Sequence, residues 1–167
     1  MLDNILYGFQ TSLNVFTGAN GLEFLVSRIK MEIDACIDIG EDLKDYELEP
    51  TFIMDPGSSN VYQTLLSHMP ILRSIMKLVL HLMQTHGSAD GMRNLIDSSL
   101  PHSLLKIFNF SKLFSHVGVF GLSINIMSTF IHNEPTTLAI LQEMGVISSF
   151  LVSARNELSI SAEVNII

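Results

Sequence analysis

The longest uncharged run of the chain is also its most apolar helical pattern. No Asp, Glu, Lys or Arg stands between Lys112 and Glu134, which leaves 21 uncharged residues in a row. Apolar residues recur there at spacings of four and three and form one helical stripe: Leu113, Val117, Phe120, Ile124, Met127 and Ile131. A second stripe lies beside it: Val119, Leu122, Ile126 and Phe130. Because a helix that is apolar on more than one side is buried, the pattern predicts a buried helix over 113–131.

Protein and lipid are the two environments that could bury this helix. The stretch is long enough to span a bilayer. No basic cluster marks a cytoplasmic side. Six polar residues also interrupt the stretch: Ser115, His116, Ser123, Asn125, Ser128 and Thr129. A buried helix of a bundle or solenoid is therefore the better interpretation, and a membrane span is the alternative.

The rest of the chain predicts further helices separated by turn signals. An amphipathic run from Leu22 to Ile37 has charged residues on its other faces: Arg28, Lys30, Glu32, Asp34 and Asp38. Gly40 follows it, at a place where a helix end favours positive φ. Pro70 is expected either at a first helical position or at a kink between two halves. The helical patterns cover 2–16, 22–37, 61–69, 70–86, 89–97, 101–108, 113–131, 136–144 and 146–154.

One segment, residues 40–59, differs in character from these helices. It gathers six carboxylates with Pro50, Pro56 and Gly57, and Lys44 is its only base. This composition is typical of an exposed acidic loop. A calcium site is the alternative interpretation, but the ligand spacing of an EF-hand loop is missing.

The chain matches itself when it is shifted by 46 residues. Residues 94–105 then lie over 140–151, and both the apolar positions and the break between two helices agree. The predicted helix 70–86 falls over 113–131 by the same shift. A helical period in the forties is the range of armadillo and HEAT repeats. The sequence therefore predicts an all-α fold, an armadillo- or HEAT-like α-solenoid segment of about three repeat units.

Composition limits the classes of function. The chain has 167 residues, which suits one domain, and 47% of them are hydrophobic, which excludes general disorder. The formal net charge is −8, so no nucleic acid is expected as a partner. The low charged fraction of 16% suggests a piece of a larger solenoid that neighbouring segments cover. With Ile160, Val164, Ile166 and Ile167 uncapped, we expect the isolated piece to be poorly soluble or to self-associate.

The sequence contains no recognisable catalytic motif. Glycine-rich phosphate loops, H-E-x-x-H and G-x-S-x-G are absent. The single cysteine, Cys36, lies between Asp34 and Asp38, which would raise the pKa of its thiol. Six scattered histidines are interpreted as structural: His68, His81, His86, His102, His116 and His132. We therefore predict no catalytic, cofactor-binding or metal-binding residues, and no cofactor.

Several short motifs occur in an order that resembles a known family. They are Gly21-Leu22, Arg28-Ile29, Glu32-Ile33-Asp34, Asp90-Gly91-Met92-Arg93, Asp97-Ser98-Ser99-Leu100-Pro101-His102-Ser103-Leu104, Asn133-Glu134-Pro135-Thr136 and Leu141-Gln142-Glu143-Met144-Gly145. Together they resemble the armadillo-like N-terminal region of giant HECT-type ubiquitin-protein ligases, the Tom and Huwe group. The likeness runs from Gly21 to the C-terminus.

The resemblance implies a non-catalytic scaffold in protein ubiquitination. In that family the catalytic cysteine lies in a C-terminal HECT domain, so no catalytic role carries over to this chain. The implied partners are protein substrates and neighbouring solenoid repeats. The net charge and the polar residues within 113–131 already speak against nucleic acid and membrane as partners, and the expected location is the cytoplasm or nucleus. The alternative is an armadillo or HEAT adaptor unrelated to ubiquitin transfer. Residues 1–167 are expected to form one helical segment.

Overall fold

Apolar residues at spacings of three and four produce helices throughout the part of the chain that the structure describes. The structure is a computed structural model that describes residues 15–16, 18–42, 56–86, 89–114 and 118–164. Within these ranges the regular structure is entirely helical, so the predicted all-α class is confirmed. The helices are α1 Gly21–Asp42, α2 Pro56–His86, α3 Ala89–Ile96, α4 Leu100–Asn109, α5 Ser111–Phe114, α6 Val119–Asn133, α7 Thr137–Glu143 and α8 Val146–Val164.

Helix α1 confirms the amphipathic pattern predicted from Leu22 onward. Its buried residues recur at helical spacing: Leu25, Val26, Ile29, Ile33 and Cys36. Asn20 precedes the helix with a φ of 57°, a left-handed conformation that Asn tolerates better than most residues. The turn thus sets the start of α1, and burial of one face stabilises it.

The helices on either side of the acidic segment extend into the predicted loop 40–59. Helix α1 continues through Gly40 to Asp42, so Gly40 does not end a helix at positive φ as expected. Its missing side chain serves close packing instead, because a Cβ there would stand 3.1 Å from a Leu113 methyl carbon. Pro56 begins α2, where a missing N–H costs nothing. Both ends of the predicted loop 40–59 are therefore helical, and residues 43–55 lie outside the described residues.

Pro70 lies inside a single long helix rather than at the start of one. Helix α2 runs from Pro56 to His86 and includes both predicted helices, 61–69 and 70–86. The interpretation of Pro70 as a first helical position is therefore wrong. Leu72, Met76 and Val79 are fully buried after it. Burial of the apolar face explains why the helix continues through a residue that lacks a backbone donor.

The predicted helix 113–131 is interrupted near its start. Leu113 belongs to the four-residue helix α5, and α6 begins only at Val119. Gly118 precedes α6 with a φ of 72°, a left-handed conformation in which a right-handed helix does not continue. Apolar spacing alone does not reveal this break, because the stripe continues across it. From Val119 onward the buried helix is confirmed.

Neighbouring helices pack in two sets that touch each other. Helices α1, α4 and α8 form one set, in which α4 contacts both of the others. Helices α2 and α6 form the second set. Contacts of α1 with α2 and of α4 with α6 join the two sets around one core.

Contacts near both ends of α6 define its direction relative to α2. Arg73 of α2 lies beside Gly118 at the start of α6, and the amide of Asn133 at the end of α6 donates to the Met83 carbonyl at 3.5 Å. The second half of α2 and the whole of α6 therefore run parallel. In the first set, Asp34 of α1 lies beside Lys106 of α4.

The boundaries of the later helices agree with the 46-residue shift. Leu100 and Val146, which are 46 residues apart, each begin a helix, and each follows a short helix. Helix α2 ends at His86 and α6 at Asn133, which differ by nearly the same amount. Packing of this kind is compatible with stacked repeats. The predictions for most of 2–16, for Gly87 and for the last three residues fall outside the described residues.

One stretch of the described helices, Gln63–Thr85 of α2, is long and apolar enough to cross a membrane, with a mean hydropathy of 1.2. Helices α7 and α8 satisfy the same test only as a pair bent by 74°. A core helix of a soluble protein has the same length and composition. Here α2 packs against both α1 and α6, with Leu72 and Met76 at 0% exposure. The left-handed conformation of Gly118, directly before the start of α6, argues against 113–131 as one continuous helical span.

Gly118 and Gly121, three residues apart, provide a test of the helix interruption at Gly118. We expect Gly118→Ala to lower the free energy of unfolding by about 1–2 kcal/mol, because an L side chain is disfavoured at its φ of 72°. Gly121 lies inside α6, and beyond its own stretch of helix no described atom lies within 4 Å of where a Cβ would stand. Gly121→Ala should therefore raise stability by about 0.5–1 kcal/mol. Urea unfolding followed by circular dichroism measures both, and equal effects of the two substitutions would contradict the assigned turn.

Candidate functional site

A buried carboxylate joins helices α1 and α2. The Glu32 side chain is only 3% exposed and accepts from Arg28 at 2.5 Å and from His68 at 2.6 Å. Arg28 lies one turn earlier on α1, while His68 comes from α2. Because a buried charge is costly unless paired, the two partners explain how Glu32 can lie in the core. Each carboxylate oxygen has a partner, so the cluster joins two helices and offers no free oxygen for chemistry.

The sequence pattern predicts an outer face of α1 for Glu32, and that prediction is wrong. The error has a physical origin, since one turn of helix separates Glu32 from Arg28 and a surface ion pair would show the same spacing. Only the position of α2, which supplies His68 thirty-six residues later, reveals that the carboxylate is covered. In the sequence, the only sign that Glu32 has a charged partner is its spacing of four residues from Arg28.

Cys36 lies one turn beyond Glu32 and is fully buried. Burial, with a smaller contribution from the Glu32 charge, raises the pKa of the Cys36 thiol from 9.0 to about 12. The predicted direction is confirmed. Its cause differs, because the neighbouring charge that matters is Glu32 rather than Asp34 or Asp38. A thiol in this environment stays protonated and is a poor nucleophile.

Polar side chains also join successive members of the first set of helices. Lys106 of α4 forms an ion pair with Asp34 of α1. Towards α8, the Phe108 carbonyl of α4 accepts from the hydroxyl of Ser153. That carbonyl belongs to the last turn of α4, where no further backbone donor follows within the helix. Each contact therefore fixes the position of one helix against the next.

The histidines do not converge. His68 pairs with Glu32, His102 and His132 are exposed, and His81 is half-buried on α2. The His86 side chain and all of His116 fall outside the described residues. In the part of the chain that the structure covers, no group of three His, Cys, Asp or Glu side chains could hold a metal ion. The structure gives no reason to change the structural interpretation of these histidines.

Apolar side chains are exposed on α1 and α8, the two helices of the first set that α4 joins. Phe24 and Met31 lie seven residues apart on α1, so they share one face, and they are 67% and 62% exposed. On α8, Leu151 and Val152 are 60% and 61% exposed. Exposed pairs of this kind are typical of surfaces that contact other protein segments.

Comparison with known proteins identifies the class to which this helical chain belongs. The family described as Domain of Unknown Function 913 (DUF913) matches residues 1–164. Because the match covers nearly the whole chain, the protein belongs to this family. No solved structure matches the chain.

The relatives that contain this segment are ubiquitin-protein ligases by name. The chain is 32% identical over 163 residues to the E3 ubiquitin-protein ligase ptr1 of Schizosaccharomyces pombe, covering 98% of the chain and 5% of that protein. It is 31% identical over 133 residues to the E3 ubiquitin-protein ligase TOM1 of Saccharomyces cerevisiae, covering 79% of the chain and 4% of that protein. The E3 ubiquitin-protein ligase HUWE1 of Mus musculus is 23% identical to the chain over 136 residues, which is 78% of the chain and 3% of that protein. The resemblance to the Tom and Huwe group is thus confirmed, and the chain spans about a twentieth of the length of these relatives.

Two buried serines differ in their hydrogen bonding, since the hydroxyl of Ser153 has a partner and that of Ser103 has none among the described residues. We expect Ser153→Ala to cost about 1–3 kcal/mol of unfolding free energy, because it leaves the Phe108 carbonyl without its donor. The Ser103 hydroxyl is also buried but has no hydrogen-bond partner among the described residues. Ser103→Ala should therefore leave stability unchanged or raise it by up to about 1 kcal/mol. Chemical denaturation measures both, and a larger loss for Ser103→Ala than for Ser153→Ala would contradict these contacts.

The raised pKa of Cys36 predicts a pH dependence of stability. The thiol is protonated in the folded chain up to a pKa of about 12 but ionises near 9.0 when unfolded. Its contribution is therefore complete below pH 9 and decreases as the pH rises from 9 towards 12, by about 1.4 kcal/mol per pH unit. Unfolding free energies measured across this range should fall more steeply for the wild type than for Cys36→Ala, which controls for other groups. Parallel slopes would show that the thiol does not contribute.

Proposed function

We propose that this chain is a non-catalytic scaffold segment of a HECT-type ubiquitin-protein ligase, acting in protein ubiquitination. The observation that carries the proposal is the match of residues 1–164 to a segment shared by ubiquitin-protein ligases. The segment occupies a small fraction of each relative, which is consistent with one structural part of a large enzyme.

The environment of Cys36 supports a role without catalysis. HECT-type ligases carry ubiquitin on a cysteine, and Cys36 is the single cysteine of this chain. Its thiol is fully buried and its pKa is raised to about 12, whereas thioester formation requires an accessible thiolate. The catalytic cysteine of the whole protein would therefore lie in another domain.

The fold that we propose for this scaffold is an armadillo- or HEAT-like solenoid. Its support is the parallel course of α2 and α6, together with the contacts of α4 with both α1 and α8. Helices related by translation from one repeat to the next run parallel, as these do. The exposed apolar residues of α1 and α8 would then contact neighbouring repeats, and protein substrates would bind along the helix faces.

A cytoplasmic or nuclear location belongs to the same proposal, since the resemblance to the Tom and Huwe group implies it. The alternative function is a helical-repeat adaptor unrelated to ubiquitin transfer. The reading frame that encodes this chain separates the two, because only the ligase would carry a HECT domain downstream.

A reconstituted ubiquitination reaction tests the scaffold role directly. When residues 21–164 are removed from the longer protein, we expect ubiquitin thioester formation to persist while ubiquitination of a protein substrate falls roughly tenfold or more. Cys36→Ala in the intact protein is the matched control and should change neither reaction. Loss of the thioester in the Cys36→Ala protein, or unchanged substrate ubiquitination after the removal, would refute the proposal.

A further inference from the structure

The charges of the chain are segregated between its helices. Helices α2 and α6 contain no Asp or Glu, although the whole chain has 17 acidic residues. Helix α1 carries six of them. Two exposed cations of α2, Arg73 and Lys77, lie one helical turn apart, and neither forms an ion pair within the described part of the chain. An acidic protein thus presents two adjacent helices that lack carboxylates, one of which, α2, bears two exposed cations.

The surface consists of two stripes on adjacent parallel helices. The stripe on α2 consists of Arg73, Lys77, His81 and Gln84. The second stripe begins at Gly118, directly before α6, and continues along that helix with Gly121, Asn125, Ser128 and His132. All of these residues are exposed except His81, which is half-buried. The Arg73 guanidinium lies 3.8 Å from the position of a Cβ on Gly118, which brings the two stripes side by side. We call these nine residues the α2–α6 face.

The α2–α6 face combines charge with room for a backbone. Gly118 and Gly121 have no side chains, so a bound chain could approach α6 closely beside Arg73. Asn125 and Ser128 follow on the same stripe and offer an amide and a hydroxyl, which can pair with main-chain groups. Helices α2 and α6 themselves supply no acidic partner for Arg73 or Lys77.

We propose that the α2–α6 face binds an extended acidic segment of a partner protein. Carboxylates of the segment would pair with Arg73 and Lys77, and its backbone would pass over the glycine positions of α6 towards Asn125. A protein segment fits better than nucleic acid, because the face offers only two fixed cations for a phosphate backbone that is charged at every nucleotide, whereas Asn125 and Ser128 can pair with a peptide backbone. The inference rests on the proposed scaffold role and specifies the chemistry of the partners.

A binding measurement on the 167-residue chain tests this inference. The probe is a fluorescein-labelled peptide of alternating Glu and Ser, compared with the same peptide containing Gln in place of Glu. We expect fluorescence anisotropy to show binding of the Glu peptide that weakens as salt is added, and at least several-fold weaker binding of the Gln peptide. Arg73→Glu with Lys77→Glu should reduce affinity for the Glu peptide roughly tenfold or more.

A matched pair of substitutions controls for net charge. Lys30 on α1 and Arg93 on α3 are exposed and belong to neither stripe of the α2–α6 face. Lys30→Glu with Arg93→Glu changes the net charge by the same amount, so it should alter affinity less than about twofold if position matters. Equal loss in both double variants would overturn the proposal, as would equal binding of the Glu and Gln peptides. Arg73→Gln with Lys77→Gln repeats the test if charge reversal disturbs folding.

A local probe reports where the peptide binds. Cys36 is buried and protonated, so a cysteine introduced by Ser74→Cys, next to Arg73 but outside the nine residues of the face, can be labelled selectively with a maleimide dye. Emission from this dye should change on adding the Glu peptide, while a dye at Ser27→Cys on the exposed side of α1 should not respond. A response only at Ser27→Cys would place binding elsewhere and refute the inference. Tighter binding of oligo-dT than of the Glu peptide, lost in the Arg73 and Lys77 variant, would mean that the face binds nucleic acid instead.

The outcomes separate acidic-segment binding from the scaffold role. If Arg73→Glu with Lys77→Glu leaves peptide binding intact while removal of residues 21–164 abolishes substrate ubiquitination, the scaffold role stands and the α2–α6 face does not bind acidic segments. If the peptide binds as expected but that removal has no effect on ubiquitination, the binding surface exists without the proposed function.

Discussion

The position of Phe108 in the core is the contact on which the arrangement of helices depends. Its side chain is 1% exposed, and its ring lies 5.5 Å from the rings of both Phe120 in α6 and Phe150 in α8. Its carbonyl accepts from Ser153 of α8. One residue of α4 thus joins both sets of helices. Aromatic pairs at these distances add to the burial of apolar area, so the loss of this contact would loosen α6 and α8 together.

The polar contacts fix direction where the apolar core does not. Burial of apolar side chains holds two helices together but allows them to slide along each other, because its free energy depends on the apolar area buried and not on which residues meet. Ion pairs and hydrogen bonds between helices have defined geometry. Three of them each tie one helix to another at a single register: Glu32 with His68, Asp34 with Lys106, and Asn133 with the Met83 carbonyl. They therefore select the observed course of neighbouring helices from the arrangements that the same core would allow.

Sequence periodicity is sufficient for the helices and insufficient for their interruptions. The starts of α4 and α8 follow from Pro101 and Gly145, whose backbone preferences are local. Gly118 gives no such signal, because the apolar stripe crosses it, and Gly40 has the sequence context of a helix end although it lies inside α1. The role of each glycine depends on what packs beside it. Leu113 determines that role at Gly40, and a sequence read alone does not contain that contact.

The α2–α6 face also combines features that the sequence predicts with features that depend on tertiary contacts. The absence of carboxylates from 56–86 and 113–133 is legible in the sequence, and so is the i, i+4 spacing of Arg73 and Lys77. Their placement beside Gly118 requires α2 and α6 to lie parallel, which is a tertiary fact. Exposed ion pairs contribute only about 0–1 kcal/mol each, so two exposed cations without such pairs forgo little stability. Selection for folding would therefore leave these positions free to vary, and their charge is more informative about partners than about the fold.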